Sequence, residues 1–408
     1  MLVAGFLSSA LILPAIAAVF PSGGPGYWGK GHGHMGGKTN LYVSSYVGTV
    51  TTLSLSGTNL DITSSVPCAQ NASWLTFDSQ DRILYCLDEG LVVPNGTVHS
   101  YSVAKDGKLT PIEEKTTISG PVNGVLYDKH DGKQGYALAH YTGSAVSVWS
   151  VDEKGSLDNV QDIFFTLPHP GPNPSRQDAP HEHEAILDPT KKYILVPDLG
   201  ADLVRVFCYD PETFKLTAHE PLHAKAGSGP RHAAFWVNKG KTYMYLVAEL
   251  GVTVTAYEVT YVKEGGLSFK EIEVSNTFGG APIPDGAAPA EIQVSPDQRF
   301  IVISNRNDSS FFLPNFDPKN KTAEPSDSLA TFALKEDGTL DFHGLAPAGG
   351  SFPRQFSLNG DGSLVGVGLQ FSSRVVVIER DIKTGVIGKI VAHVPLPGQI
   401  TCVVWDEQ

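Results

Sequence analysis

The residues best able to do chemistry lie far apart in the chain: His181 and His183 in HEHEAILDP, Arg231 in GPRH, Glu249 in AEL, Arg306 in SNR and Arg354 in FPRQ. Histidine and glutamate exchange protons near neutrality when burial and neighbouring charge move their pKa there. Arginine forks grip carboxylates or polarise carbonyl oxygens. The HEH spacing allows a second chemistry, because His181 and His183 on an extended strand point to the same side and could be two metal ligands. Glu182 and Glu184 would then face away, and further ligands would have to come from elsewhere. Cys68, Cys86, Cys208 and Cys402 show no CxxC spacing, which argues against a zinc knuckle, and no G-x-S-x-G elbow marks a nucleophilic serine. His32 and His34, in GKGHGHMGGK, sit in a Gly-rich stretch and suit adventitious metal binding at most.

Which of these residues can cooperate depends on the elements that carry them. The chain has 408 residues, 41% of them hydrophobic and 18% charged, which is ordinary globular material. A net charge of -13 without a dense basic run argues against a nucleic-acid surface. Small molecules are the expected partners, and an acidic ligand would need a few focused arginines.

Short β-branched runs bounded by Gly, Asp, Asn and Pro recur throughout, so the chain reads as strand. A repeating unit begins at SWLTFDSQDRILYCLDEG, NGVLYDKHDGKQGYALAHY, HEAILDPTKKYILVPDLG, RHAAFWVNKGKTYMYLVAEL, EIQVSPDQRFIVISNRND and RQFSLNGDGSLVGVGLQ. Each supplies strand, turn, strand, then a third and a fourth strand. LYVSSYVGTVTTLSLSGTNLDITSS lacks a first strand, and the C-terminal ITCVVWDEQ is a first strand with nothing after it. Joined, they complete a seventh unit. The predicted fold is therefore all-β, a seven-bladed β-propeller of four-stranded blades whose last blade is closed by N-terminal strands plus the C-terminal strand.

In an antiparallel meander the start of the first strand and the end of the second share one face. The first position reads Ser73, Asn123, His183, Arg231, Ala290 (with Glu291), Arg354 and Thr401. The second reads Asp88-Glu89, His140-Tyr141, Asp198-Leu199, Glu249-Leu250, Asn305-Arg306 and Leu369-Gln370. Polar residues thus gather where the channel opens. Asn123, Tyr141, Asp198, Glu291, Arg354 and Gln370 are expected to bind substrate there. In this frame His183 gains arginine neighbours, which disfavour both a metal ion and an imidazolium, and His181 loses importance. The same register brings Cys68 near Cys86 and predicts a disulfide, with Cys208 and Cys402 free and buried.

Residues 1–18 carry an apolar run with Ala15-Ile16-Ala17 as a small-x-small cleavage candidate, and read as a secretory signal rather than an anchor. A flexible Gly/Pro/His-rich segment, 19–38, precedes the propeller domain at 39–408. Sequons at Asn71, Asn95, Asn307 and Asn320 fit export and glycosylation. No second apolar run of membrane length follows, so no membrane span is expected once the signal is removed.

The runs GPRHAAFWVNKGKTYMYLVAEL, PAEIQVSPDQRFIVISNR and FPRQFSLNGDG resemble the signatures of the seven-bladed β-propeller lactonase family. That family includes bacterial 6-phosphogluconolactonases and fungal 3-carboxy-cis,cis-muconate lactonizing enzymes. The resemblance spans Lys38 to the C-terminus and points to a secreted, fungal-type member. It implies a site of one His, two Arg and one Glu, which fall here on His183, Arg231, Arg306 and Glu249. Two positions depart from the pattern: Ala248 stands where Asn is common, and His140-Tyr141 where Asn-Tyr is often found. The expectation is a lactonase acting on a sugar-acid or other oxygen-rich lactone, with no metal or cofactor. Glu249 would activate water, the arginines would hold a carboxylate or polarise the carbonyl, and His183 would orient the substrate or protonate the leaving oxygen. The roles of Glu249 and His183 could be exchanged. A muconate-type cycloisomerase and a non-catalytic extracellular scaffold remain the alternatives.

Overall fold

Tight turns at DPTKK, VNKGK, SPDQ and NGDG reverse the chain between short apolar runs, and the result is seven four-stranded antiparallel sheets. The computed structural model describes residues 37–407. The expected signal, residues 1–18, and the Gly/Pro/His-rich segment as far as residue 36, with His32 and His34, lie outside the described residues.

Blade I begins with Ala72–Asp78, blade II with Pro121–His130, blade III with Ile186–Leu187 and blade IV with Pro230–Asn238. Blades V and VI begin with Ala288–Val294 and Pro353–Leu358. Blade VII takes its first strand from Ile400–Asp406 and the other three from Thr39–Ser45, Thr49–Ser56 and Asn59–Pro67. Tyr42 pairs with Val404 and Val43 with Val403, so the ring is closed by the two ends of the described chain. Every blade is packed between two others, which is why its second strand is buried on both faces. Ile83–Asp88 and Phe300–Arg306 are buried along their whole length, while the outer strand Asn59–Pro67 is mostly exposed. Blade IV meets blade V through Tyr243, Tyr245 and Val254 against Ile301, Ile303 and Phe332. A hairpin, Phe311–Leu313 with Glu324–Ser326, is inserted into blade V and was not part of the expected unit.

One irregularity recurs at the same place. The pairing of first and second strands slips at Ala72/Trp74, Pro121/Asn123, Pro230/His232, Pro289/Ile292 and Pro353/Gln355. In blade VII it slips around Thr401. A bulge leaves one residue outside the ladder and re-aims its side chain. The released residues include Ser73, Arg231, Arg354 and Thr401, which strict alternation would not have turned together. In blade II the released residue is Val122, and Asn123 pairs with Ala139, so the sequence alignment was one position off there. Proline precedes four of the slips, at a point where the ladder has no use for an N–H.

Blade III is the exception. His181–Ala185 is not the regular strand that the HEH reading assumed, and only a single bridge, Glu182 to Asp198, forms before Ile186–Leu187. Cys68 and Cys86 are bonded, with Cα atoms 6.4 Å apart, as the register predicted. The bond joins the end of blade VII to the second strand of blade I. Cys402 is free and buried, whereas free Cys208 is only half-buried, contrary to expectation, because it lies toward the outer half of blade III.

Candidate active site

Glu249 ends the second strand of blade IV, with its N–H donating to Gly229 O at 2.8 Å. Gly229 has φ +64, and a Cβ there would lie 2.6 Å from Leu250, so the turn accepts only glycine. The Glu249 carboxylate is met by three guanidinium groups. Arg231 Nε and Arg306 Nη2 reach Oε2 at 3.0 and 2.6 Å, and Arg176 Nη2 reaches Oε1 at 2.5 Å. The Arg231 N–H is not well aimed along that short separation, and its firm hydrogen bond runs from Nη1 to Ala290 O at 2.7 Å. Arg306 is braced by Ala288 O at 3.0 Å and lies 4.9 Å from the Phe352 ring centroid. Burial alone would raise the Glu249 carboxyl, but Arg306, Arg231 and Arg176 override it and hold the group well below the usual carboxylate range. Burial and nearby Arg306 pull Arg231 down to about 9, which leaves it charged at neutral pH.

His183 is buried against Tyr141 and His232, with ring centroids 5.5 and 5.2 Å away. Its Nδ1 is buried without a hydrogen-bond partner. Burial first, then Arg231, His232, Arg354 and Arg306, push its pKa well below the imidazole range, so the ring is neutral. His181, by contrast, is occupied on both nitrogens, by Tyr141 O at 2.8 Å and Asp178 Oδ1 at 3.1 Å, and stacks on Tyr141 at 4.3 Å. It fixes Tyr141 as a wall of the mouth. No cluster of three or more His, Cys, Asp or Glu able to hold a metal ion occurs among the described residues.

Further round the mouth, Arg354 donates to the Tyr46 hydroxyl and to Glu89 Oε1, the latter at 3.0 Å, and Tyr46 donates to the same Glu89 oxygen. Gln370 Nε2 is bonded to Gln399 at 2.8 Å, while its Oε1 is buried and unpartnered. Below the mouth, His232 Nδ1 lies 3.3 Å from Glu291 and 3.8 Å from Glu184. Burial and Glu291 raise the Glu184 carboxyl well above its ordinary value.

The structure brings together His183, Arg231, Glu249, Arg306, Tyr141 and Arg354, and gives other expected binders duties in the fold. Asn123 Oδ1 accepts the Ala185 N–H at 3.0 Å, which ties blade II to blade III. Asp198 accepts from His181 N and Arg205, at 2.8 and 2.6 Å, and is fully buried. Glu291 lies deeper in the channel, on His232. Arg176 was missed, because it sits in none of the repeats but in the loop 165–185, the longest junction between blades. That length, with the run PHPGPNPSRQDAP, was the available signal. Of the sequons, Asn95 and Asn320 are exposed, Asn307 is exposed beside Arg306, and Asn71 is half-buried with Oδ1 accepting the Leu91 N–H at 3.1 Å.

A family profile described as "Lactonase, 7-bladed beta-propeller" matches residues 40–405. The chain is 31% identical over 341 residues to a probable 6-phosphogluconolactonase of Arthroderma benhamiae, covering 82% of this chain and 78% of that one. It is 28% identical over 330 residues to a 6-phosphogluconolactonase of Bacillus subtilis, covering 80% and 85%. Among solved structures, the periplasmic gluconolactonase of Pseudomonas aeruginosa superposes with a TM-score of 0.74 at 26% identity, over 90% of this chain and 99% of that one.

Proposed function

Because the chain belongs to the seven-bladed β-propeller lactonase family, we propose that it hydrolyses the lactone of a sugar acid or related oxygen-rich compound at the arginine-lined channel mouth. The observation that carries this reading is a buried His183, its Nδ1 without a hydrogen-bond partner, in the same mouth as guanidinium groups clamped on Glu249. Arg231 and Arg306 polarise the lactone carbonyl and stabilise the oxyanion that forms when water attacks it. His183 takes the proton from the attacking water and returns it to the ring oxygen as the C–O bond breaks, giving a hydroxy acid.

Glu249 then has a different part from the water activation that its position in the sequence suggested. Both of its oxygens are already taken by guanidinium groups, so it serves to fix the arginines at one point. Turnover of glucono-1,5-lactone, followed by proton release, tests the assignment. His183→Gln is expected to lose about 10²- to 10⁴-fold in kcat/KM. Glu249→Gln strands two buried arginines and is expected to cost about 3–5 kcal/mol of stability in a denaturant titration as well as activity. A Glu249→Gln protein of native stability that lacks only kcat would return the proton transfer to Glu249.

Export from the cell belongs to the same proposal. The N-terminal apolar run ending near Ala15-Ile16-Ala17, the Cys68–Cys86 bond and four sequons support it. No helix among the described residues is long and apolar enough to cross a membrane. Protein recovered from culture medium with an N-terminus near residue 18, and glycan on Asn95 or Asn320, is the expected result. Retention in the cell with Met1 intact would refute it.

A further inference from the structure

The three arginines on Glu249 are not equivalent. Arg231 and Arg306 rise from blade strands, donate to backbone carbonyls, and have side chains only 2% and 9% exposed. The Arg176 side chain is 40% exposed and comes from the loop between blades II and III. Among the described residues its hydrogen-bond partners are Glu249 Oε1, at 2.5 Å, and the Tyr141 hydroxyl, at 3.4 Å, both through Nη2. Its remaining N–H groups have no acceptor there. The loop backbone, in contrast, is anchored. Gln177 Oε1 accepts Asn173 N–H at 3.0 Å, Gln177 Nε2 donates to Leu199 O at 3.0 Å, and Gln177 N–H donates to Asn173 O at 2.8 Å. The Cα of Arg176 is thus held at the mouth, while its guanidinium, unlike those of Arg231 and Arg306, is braced by no backbone carbonyl among the described residues.

The charge count favours a partner for it. Three guanidinium groups face one carboxylate, a surplus of two positive charges in a chain whose net charge is -13. The two oxygens of Glu249 are also divided: Arg231 and Arg306 hold Oε2, and Oε1 is taken by Arg176. Removing Arg176 would leave the carboxylate still clamped but with one oxygen open to a hydrogen bond from water or a substrate hydroxyl.

Building on the lactonase reading, we propose that Arg176 is a specificity residue that turns from Glu249 to an anionic group, carboxylate or phosphate, carried by the lactone away from its reacting carbonyl. Binding of that group uncovers Glu249 Oε1, so the charge on the substrate sets both its affinity and the arrangement of the site.

The test compares wild type, Arg176→Ala and Arg176→Lys on glucono-1,5-lactone, its 6-phosphate and a glucarolactone bearing a 6-carboxylate. A charge-assisted hydrogen bond lost from a partly open site predicts a fall of about 10- to 100-fold in kcat/KM for Arg176→Ala on an anionic lactone. The neutral lactone should lose less than the anionic ones, so that the preference for charge falls, and Arg176→Lys should keep part of that preference. Loss confined to the 6-phosphate or to the 6-carboxylate supports the proposal and identifies the anion. Equal loss on all three lactones, or no loss on any, overturns it. If wild type turns over none of them, the lactonase reading falls, and calorimetry of 6-phosphogluconate and glucarate against gluconate decides the anion site alone. Affinities unchanged by Arg176→Ala would then refute it.

Discussion

At His183 burial and three arginines act in the same direction, and the consequence is a pH profile. The ring's pKa lies well below the usual imidazole range, so its neutral form persists as the solution is acidified. The acid limb of kcat/KM is expected below pH 6.5, and a limb at or above that value would remove His183 as the proton acceptor. Glu184 gives the opposite lesson, for stability. Its folded pKa is raised, so the native state keeps a proton that the unfolded chain releases above its ordinary carboxyl value. The stability it contributes is present in acid and lost as pH climbs toward the folded pKa. Glu184→Gln, which keeps an acceptor for the Ala233 N–H that Glu184 holds at 2.6 Å, should therefore raise Tm at about pH 8 and leave it unchanged at about pH 4. Equal Tm shifts at both pH values would contradict this.

Among the elements, the bulge decides which residues form the mouth. The repeat count, the closing strand and the Cys68–Cys86 pair were legible in the sequence because they follow from period and register alone. Arg231 and Arg354 were found by their place in the unit, but the slip that turns them inward was not, since alternation gives no sign of an extra residue. For the same reason Asn123 was set one position off, and HEHE was read as a strand where only one bridge forms. Arg176 escaped because a loop outside the repeat carries no period. A strained point lies beside Pro353, at the bulge of blade VI. Phe352, just before Pro353, has φ +64, stacks on half-exposed Phe371 at 4.2 Å and lies 4.9 Å from the Arg306 guanidinium. A bulky residue in the left-handed region costs about 1–3 kcal/mol, and such strain persists where the surroundings demand it. Phe352→Gly should relieve it and leave Tm no lower, while raising KM as Arg306 loses its aromatic support. A Tm drop with KM unchanged would make Phe352 a packing residue only.

For the whole molecule the critical region is the seam between blades VII and I. Three ties cross or close it: the Thr39–Ser45 ladder with Ile400–Asp406, the Cys68–Cys86 bond, and Asp406, which accepts from Tyr42 at 2.6 Å and pairs with Arg82 of blade I. Deleting residues 400–408 would leave Thr39–Ser45 as an open edge beside the buried faces of Leu41 and Val43. Loss of a single cooperative melt and the appearance of oligomers on size-exclusion chromatography are expected, and a monomeric, sharply melting truncation would show that six blades suffice. The seam also fixes an order in time. The strand that closes the ring is translated after every other strand described, and its partner, Thr39–Ser45, before them all, so the longest loop of the fold must be bridged last. Until then the nascent chain has no continuous ring, and Arg354 of blade VI is held beside Tyr46 of blade VII and Glu89 of blade I only once Ile400–Asp406 has taken its place.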